Sequence, residues 1–481
     1  MTPIDLDPRT APPFPQAALP ILRNTQLRKN VAHATDVIQA KRARLVAEKS
    51  DWQALRTAAA AIKDDVLQHL DRYLTEFEAR CTAAGGHVHW AADAAEARSI
   101  VIDILRAEKA TEVIKIKTMT SAEIQLNPAL EAARIKAVET DLAELILQLG
   151  DDEPSHIVAP ALHVNRSQVR EIFARSMGLK DLTDDPQALT AAARTYLRKR
   201  FLSVDAAICG ANFMVAETGA VTIVESEGNG RMCLTLPRTL ISLAGIEKVV
   251  PTFRDLEVML QILARSATGE RMNPYTSLWT GVTPGDGPQS FHVVLLDNSR
   301  SSILARHTER QTLRCIRCAA CQNTCPVYRH TGGHAYGSVY GGPIGAILTP
   351  QLMRMDHAQS LPYASSLCAA CYEVCPVKIN IPEVLIELRA QVVDRERKQA
   401  ARAFDLMYIG MRVANSIFAS AGRFRIAQRL GRIALRPFTR KDGWIHALPS
   451  LGSRWTMTRD LRGLPEQTFR EWWASRPKDK V

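Results

Sequence analysis

Seven of the ten cysteines lie between positions 315 and 375, and their spacing is what could do chemistry. The first run reads Cys315-Ile-Arg-Cys318-Ala-Ala-Cys321-Gln-Asn-Thr-Cys325-Pro326. This is C-x₂-C-x₂-C-x₃-C-P, the bacterial ferredoxin pattern. A shorter run follows, Cys368-Ala-Ala-Cys371-Tyr-Glu-Val-Cys375-Pro376. Three thiolates at three-residue intervals curl around one cube of iron and sulfide, while the cysteine before the proline reaches across to the other cube. Crossed ligation predicts that Cys315, Cys318, Cys321 and Cys375 hold one [4Fe–4S] cluster. It leaves Cys325, Cys368 and Cys371 for the second.

A complete second run would carry a cysteine at position 365, where the chain has Ser365. Three alternatives are open. The second cluster is [4Fe–4S] with a non-cysteine or remote ligand, or it is [3Fe–4S], or the short run is structural and one cluster is present. Either of two histidines in the intervening segment, His330 or His334, could supply a ligand. Zinc competes for any C-x₂-C pair, but the longer run is the more specific signal.

The elements that must position these thiols come next. With 481 residues, 46% hydrophobic and 23% charged, the chain can build two or three globular domains. Clustered cysteines point to a reducing compartment rather than a disulfide framework. The N-terminal MTPIDLDPRTAPPFPQAALP lacks an apolar signal core, and its prolines suggest an extended arm over residues 1–20. No stretch reaches eighteen consecutive apolar residues, so a cytoplasmic location is expected. The net charge of +11 is concentrated in the tail: residues 395–481 carry 19 Lys+Arg against 7 Asp+Glu.

Residues 17–110 show a helical period, with His87 and His89 beside an expected turn at Gly85-Gly86. From Thr111 strands and helices alternate. Strands are expected over Glu112–Met119, Ile135–Glu139, His156–Leu162 and Phe291–Leu296. Helices are expected over Ser121–Arg134 with Ser121 as cap, Asp141–Leu149, Pro186–Leu202 and Arg254–Arg265. Two more runs, Asn212–Val215 and Ala220–Val224, flank Glu217-Thr218-Gly219. The order argues for a parallel sheet covered by helices. No phosphate-binding glycine loop is present. The turn Glu225-Ser226-Glu227-Gly228-Asn229-Gly230 is a glycine-rich strand end, or it presents Glu227 to a ligand where α/β folds bind them. Cys81, Cys209 and Cys233 suit buried roles in this part.

The 42 residues from Pro326 to Leu367 hold Gly332, Gly333, Gly337, Gly341, Gly342 and Gly345. They either bring amides close to cluster sulfide or form a cover that keeps water out. Ile381–Lys398 is expected to be helical. In the tail, Arg425, Arg429, Arg432 and Arg436 form one stripe beside Ile426, Leu430 and Ile433. It is a solvated face, or it docks an acidic partner or an anionic membrane surface from the cytoplasmic side. No nucleic-acid-binding motif accompanies it.

On these residues the chain resembles the lactate utilization protein B family. Ser155-His-Ile-Val-Ala-Pro160, Gly210-Ala-Asn-Phe213, Ala216-Glu-Thr-Gly219 and Glu227-Gly-Asn-Gly230 carry the likeness in the α/β part. Leu313-Arg-Cys-Ile-Arg-Cys318, Gly332-Gly-His-Ala-Tyr-Gly337, Gly342-Pro-Ile-Gly345 and Ser366-Leu-Cys368 through Ile379 carry it in the cluster part. The three-cysteine second run matches the family's own pattern, whereas Ser299 stands where relatives are expected to have Gly. The resemblance implies an α/β domain over 21–300, similar to the CoA-transferase and sugar-phosphate-isomerase fold. It further implies a dicluster ferredoxin-type domain over 301–394 and a basic helical tail over 395–481. It also implies electron transfer in oxidation of L-lactate to pyruvate, together with other lactate-utilization subunits. An enzyme using Glu227 with structural clusters, an iron–sulfur subunit of another 2-hydroxy-acid or respiratory dehydrogenase, and an oxygen-sensing regulator binding a polyanion are the competing functions.

Overall fold

The structure, a computed structural model, describes residues 4–353, 355–398 and 406–476. Two compact units divide the chain, Met1–Val392 and Val393–Val481.

Unit one is built on a six-stranded parallel sheet. Its strands are β1 (Gly86–Ala91), β2 (Glu112–Lys115), β3 (Lys136–Glu139), β4 (Ala206–Gly210), β7 (Thr239–Gly245) and β10 (Ser290–Leu296), in the order β1-β10-β7-β4-β2-β3. Neighbouring residues point to opposite faces, and both faces are covered. Val113, Ile208, Ile241, Leu243 and Val294 meet Val101 and Leu105 of the helix Ala94–Ala107. Ile114, Ala207, Leu240 and Val293 meet Phe77 and Phe173 on the other side. A sheet buried on both faces needs no polar alternation. That is why Thr-Leu-Ile-Ser-Leu-Ala-Gly forms β7 without a period-two signature.

A second sheet, in the order β8-β5-β6-β9, comprises β5 (Phe213–Val215), β6 (Ala220–Glu225), β8 (Val249–Val250) and β9 (Tyr275–Trp279). β5 and β6 form an antiparallel hairpin. Its turn closes at Gly219, whose φ of 69° and tight approach to the backbone of Cys81 leave no room for a side chain.

Several expectations need correction. His87 and His89 lie on β1, where their rings stack on His292 of β10 at 5.0 and 5.3 Å. The expected strand His156–Leu162 is a series of turns. The His156 Nδ1 accepts the backbone N–H groups of Val158 and Ala159, and the Ser155 N–H donates to the Pro160 carbonyl, so no ladder can form. β2 ends at Lys115, Thr118 caps the helix Met119–Glu123, and Gln125, at φ 54°, separates it from Leu126–Ala132. The N-terminal stretch is helical from Phe14 to Arg23, with Pro15 in the first turn, where a missing N–H costs nothing. Ser299 is left-handed, φ 75°, the conformation for which the expected Gly is suited.

The cysteine runs sit among short helices: Ala320–Thr324, Pro326–Thr331, Gly342–Leu352 and Ala370–Val374, followed by the long helix Ile381–Arg397. The glycine-rich segment between the runs is almost wholly buried. Gly333 lies against the Ser155 carbonyl, Gly342 against Gln322, and Gly345 against the Tyr340 carbonyl, each too close for a Cβ. The segment therefore packs tightly against the loop after Ser155 and the helix Ala320–Thr324.

A chain of buried ions joins the sheet to the first cysteine run. Arg300, just after β10, donates from Nη1 and Nη2 to both Glu123 oxygens at 2.9 and 2.8 Å, and from Nε to Glu247 at 2.6 Å. Glu247, just after β7, accepts from Arg317 at 3.1 Å. Tyr340 and Asn298 add 2.6 and 2.7 Å bonds to Glu123. Replacing Arg300 with Met strands two buried carboxylates. The expected cost is about 3–5 kcal/mol, read as a lowered urea midpoint by circular dichroism, and an unchanged midpoint would show that the ions are not coupled to folding.

Candidate functional site: the paired cysteine runs

The two runs are copies of one another, displaced by fifty positions. Arg317 and Ala319 take left-handed φ of 60° and 59°, and Leu367 and Ala369 repeat this with 55° and 64°. A helical turn follows in each, Ala320–Thr324 and Ala370–Val374, and the two pack together. Each then ends on an extended cysteine before proline, Cys325 (φ −80°, ψ 120°) and Cys375 (φ −63°, ψ 119°). Left-handed residues two positions apart coil the backbone tightly around the first thiols of each run. The Arg317 N–H donates to the Cys315 Sγ at 3.4 Å, Tyr328 to Cys325 at 3.5 Å, and Ile379 to Cys375 at 3.4 Å.

Burial pushes the thiols of Cys318 and Cys371 up to about 12 and that of Cys375 up to about 11. Burial raises Cys321 and Cys325 too. Neighbouring thiols add to this in two groups. Cys315 acts on Cys318, Cys321 and Cys375, and Cys368 acts on Cys325 and Cys371. Cys321 also feels Cys371, so the groups adjoin. Such thiols ionise on binding a metal, and nearby cations favour the thiolate. Arg42, Lys63 and Lys248 interact with thiols of the first group, and Arg56 donates to the Cys375 carbonyl at 2.9 Å.

Seven thiols on two loops of the same backbone hand, with their helical turns packed together, form a donor set that fits clusters of iron and sulfide.

Other candidates are placed elsewhere. His334 Nε2 donates to the Glu153 carbonyl at 2.9 Å, and its ring packs on His163 at 4.7 Å. His330 is exposed beside Arg28. Cys81, Cys209 and Cys233 are fully buried in the α/β core. Glu227 accepts the Leu142 N–H at 2.9 Å and so holds the start of the helix Leu142–Gly150. Asp141 beside it is pushed up to about 8 by burial and by Glu144 and Glu227. The ion chain through Arg317 escaped the sequence reading, although an arginine inside a C-x₂-C loop is a visible signal.

Comparison with known proteins places this arrangement. Residues 74–296 match the LUD domain and residues 311–379 the 4Fe-4S dicluster domain. Lactate utilization protein B of Bacillus licheniformis is 42% identical over 95% of this chain and 96% of its own. The chain belongs to the lactate utilization protein B family. Family proteins from Geobacillus thermodenitrificans and Bacillus subtilis are 44% and 42% identical, the first covering 95% of each chain and the second 94%. A solved DUF162 family protein from Deinococcus radiodurans aligns with 47% of this chain and 98% of its own, at TM-score 0.27 and 13% identity. The LUD domain match spans the six-stranded sheet, and the dicluster match contains all seven clustered cysteines. In this family member, the two parts meet at His156.

Buried His156 donates from Nε2 to Asn323 Oδ1 at 3.0 Å and accepts at Nδ1, so it is held neutral. Burial, with Lys117, pushes its pKa down to about 3. Its folded value lies below the ordinary 6.5, so the stability it contributes is present above pH 6.5 and is lost as pH falls toward 3. Between pH 6.5 and 5 it should weaken folding roughly tenfold per unit. His156→Asn keeps an acceptor for Val158 and Ala159 and should flatten the slope of urea stability by one proton. A slope as steep as wild type would assign the titration to another group.

Proposed function

We propose that the chain is an electron-transfer protein acting in oxidation of L-lactate to pyruvate. In this reading Cys315, Cys318, Cys321 and Cys375 hold one [4Fe–4S] cluster, and Cys325, Cys368 and Cys371 hold the second. Such clusters take up and release single electrons. The supporting observation is the repeated backbone hand of the two runs, whose helical turns pack together and bring both sets of thiols side by side. Arg42, Arg56, Lys63, Lys248 and Arg317 set cations around the first group, and the glycine-rich segment packs against the first run at Gln322, while Cys368 of the second run is exposed. Carbon–hydrogen chemistry on lactate falls to partner subunits of the same system.

Anaerobically prepared protein should hold about seven or eight irons, from two clusters of three or four. It should bleach with dithionite, recolour on oxidation, and turn over no lactate by itself. Cys209→Ala and Cys233→Ala should keep that iron content, whereas Cys318→Ala should lose about half. A colourless zinc protein that takes up no iron and sulfide would sink the reading.

The tail is proposed to dock a partner subunit. Its helix Ala421–Leu435 carries Arg425, Arg429 and Arg432, with Arg436 just beyond. Glu471 stands 3.8 and 3.9 Å from Arg429 and Arg432, and Ile426, Leu430 and Ile433 are exposed beside them. Among the described residues no helix is long and apolar enough to cross a membrane. Changing the four arginines to Gln should leave the iron content intact and weaken co-purification of the lactate-oxidation partners. The loss should be larger at low salt, because exposed charges are screened within about 8 Å at physiological ionic strength. Equal recovery of partners at both salt concentrations would place docking elsewhere.

A further inference from the structure

The fifty-residue repeat assigns a role to Ser365. Cys318, Cys321 and Cys325 have Cys368, Cys371 and Cys375 as their counterparts, and Cys315 has Ser365. The backbone repeats with the same hand around both positions, through Arg317 and Leu367 and then Ala319 and Ala369. The side chains repeat as well. In the first run the N–H two residues on, of Arg317, donates to the Cys315 Sγ at 3.4 Å. In the second, the N–H of Leu367 donates to the Ser365 Oγ at 3.1 Å. Ser365 thus makes the local bond that a cluster thiol makes in the other half. Its own carbonyl is fixed by Arg389, which donates to it at 3.1 Å and to the Pro362 carbonyl at 2.8 Å. The three histidines of the intervening segment are placed elsewhere, His334 against Glu153 and both His330 and His357 at the surface.

We propose that the Ser365 Oγ is the fourth ligand of the second cluster, which is then a [4Fe–4S] cluster held by Cys325, Cys368, Cys371 and one serine oxygen. The inference rests on the two-cluster reading above. On ligation the Ser365 O–H bond breaks, an O–Fe bond forms, and the proton passes to solvent, which reaches this half-buried residue. The iron does not change oxidation state in that step. The Leu367 N–H then faces an anionic oxygen, a stronger hydrogen bond than to a hydroxyl. Oxygen is a harder donor than sulfur, so this corner of the cluster is chemically distinct.

The test uses the full chain, reconstituted anaerobically with iron and sulfide, as wild type, Ser365→Ala and Ser365→Cys. The readouts are iron per chain, electron paramagnetic resonance of the oxidised protein, and Mössbauer spectra. Wild type should hold about eight irons and show no three-iron signal. Ser365→Ala should lose one iron and show a three-iron signal approaching one spin per chain. Ser365→Cys should hold the wild-type count and lose the spectral component of the oxygen-bound iron. That variant also controls for folding, since it restores the first run's pattern. A three-iron signal in wild type, or a Ser365→Ala protein with the wild-type count and spectrum, overturns the ligand assignment while leaving two clusters in place. A wild type with about four irons or fewer overturns it by removing the second cluster itself.

Discussion

The buried ion chain Glu123–Arg300–Glu247–Arg317 is the constraint on which the geometry of the first cysteine run depends. Burial alone would drive Glu247 toward its neutral form, yet Arg300, Arg317 and Lys248 overcome that and hold it at about 2. Each carboxylate is satisfied by more than one donor, which is the condition under which buried ions are tolerated at all. Glu123 precedes Gln125, Glu247 follows β7, and Arg300 follows β10, so the ions gather around one end of the sheet. Arg317 is a residue of the first Cys-x₂-Cys loop itself. The sheet's register is thereby transmitted to the loop through side chains with fixed, planar hydrogen-bonding geometry.

The same region carries more cations than anions. Lys63 is wholly buried and its pKa is driven down to about 8 by burial, although Glu247 pulls the other way. Arg42 and Arg56 approach from the helices Thr25–Ala47 and Trp52–Gln68 and bond to carbonyls of the second run at 2.9 Å. A burial this costly is understandable where a multiply anionic group has to be held in a low-dielectric setting. The N-terminal helices thus serve the cysteine runs as well as the sheet.

Much of this was legible in the sequence because thiol spacing is local. The ferredoxin run needs no tertiary context to be recognised, and neither does the β-α alternation that announces a parallel sheet. What escaped had non-local causes. β1 hid behind Gly85-Gly86 and two histidines, because its pairing with β10 is made across more than two hundred residues. β7 hid because a strand buried on both faces has no polar period. The segment after Ser155 read as a strand from its apolar residues, but His156 spends its Nδ1 on local amides and folds the chain into turns. The ions could not be paired from sequence, since Glu123 and Arg300 are 177 positions apart.

The exchange of proline-linked cysteines between the runs has a consequence for how the protein is made. If Cys375 completes the first cage and Cys325 the second, neither cage can close while the chain still ends short of residue 371. Iron and sulfide delivered during synthesis would meet the first run with three thiols in place and its fourth not yet translated. Both closures then come after most of the chain is made, and each ties together segments about fifty residues apart, removing loop entropy from the unfolded chain.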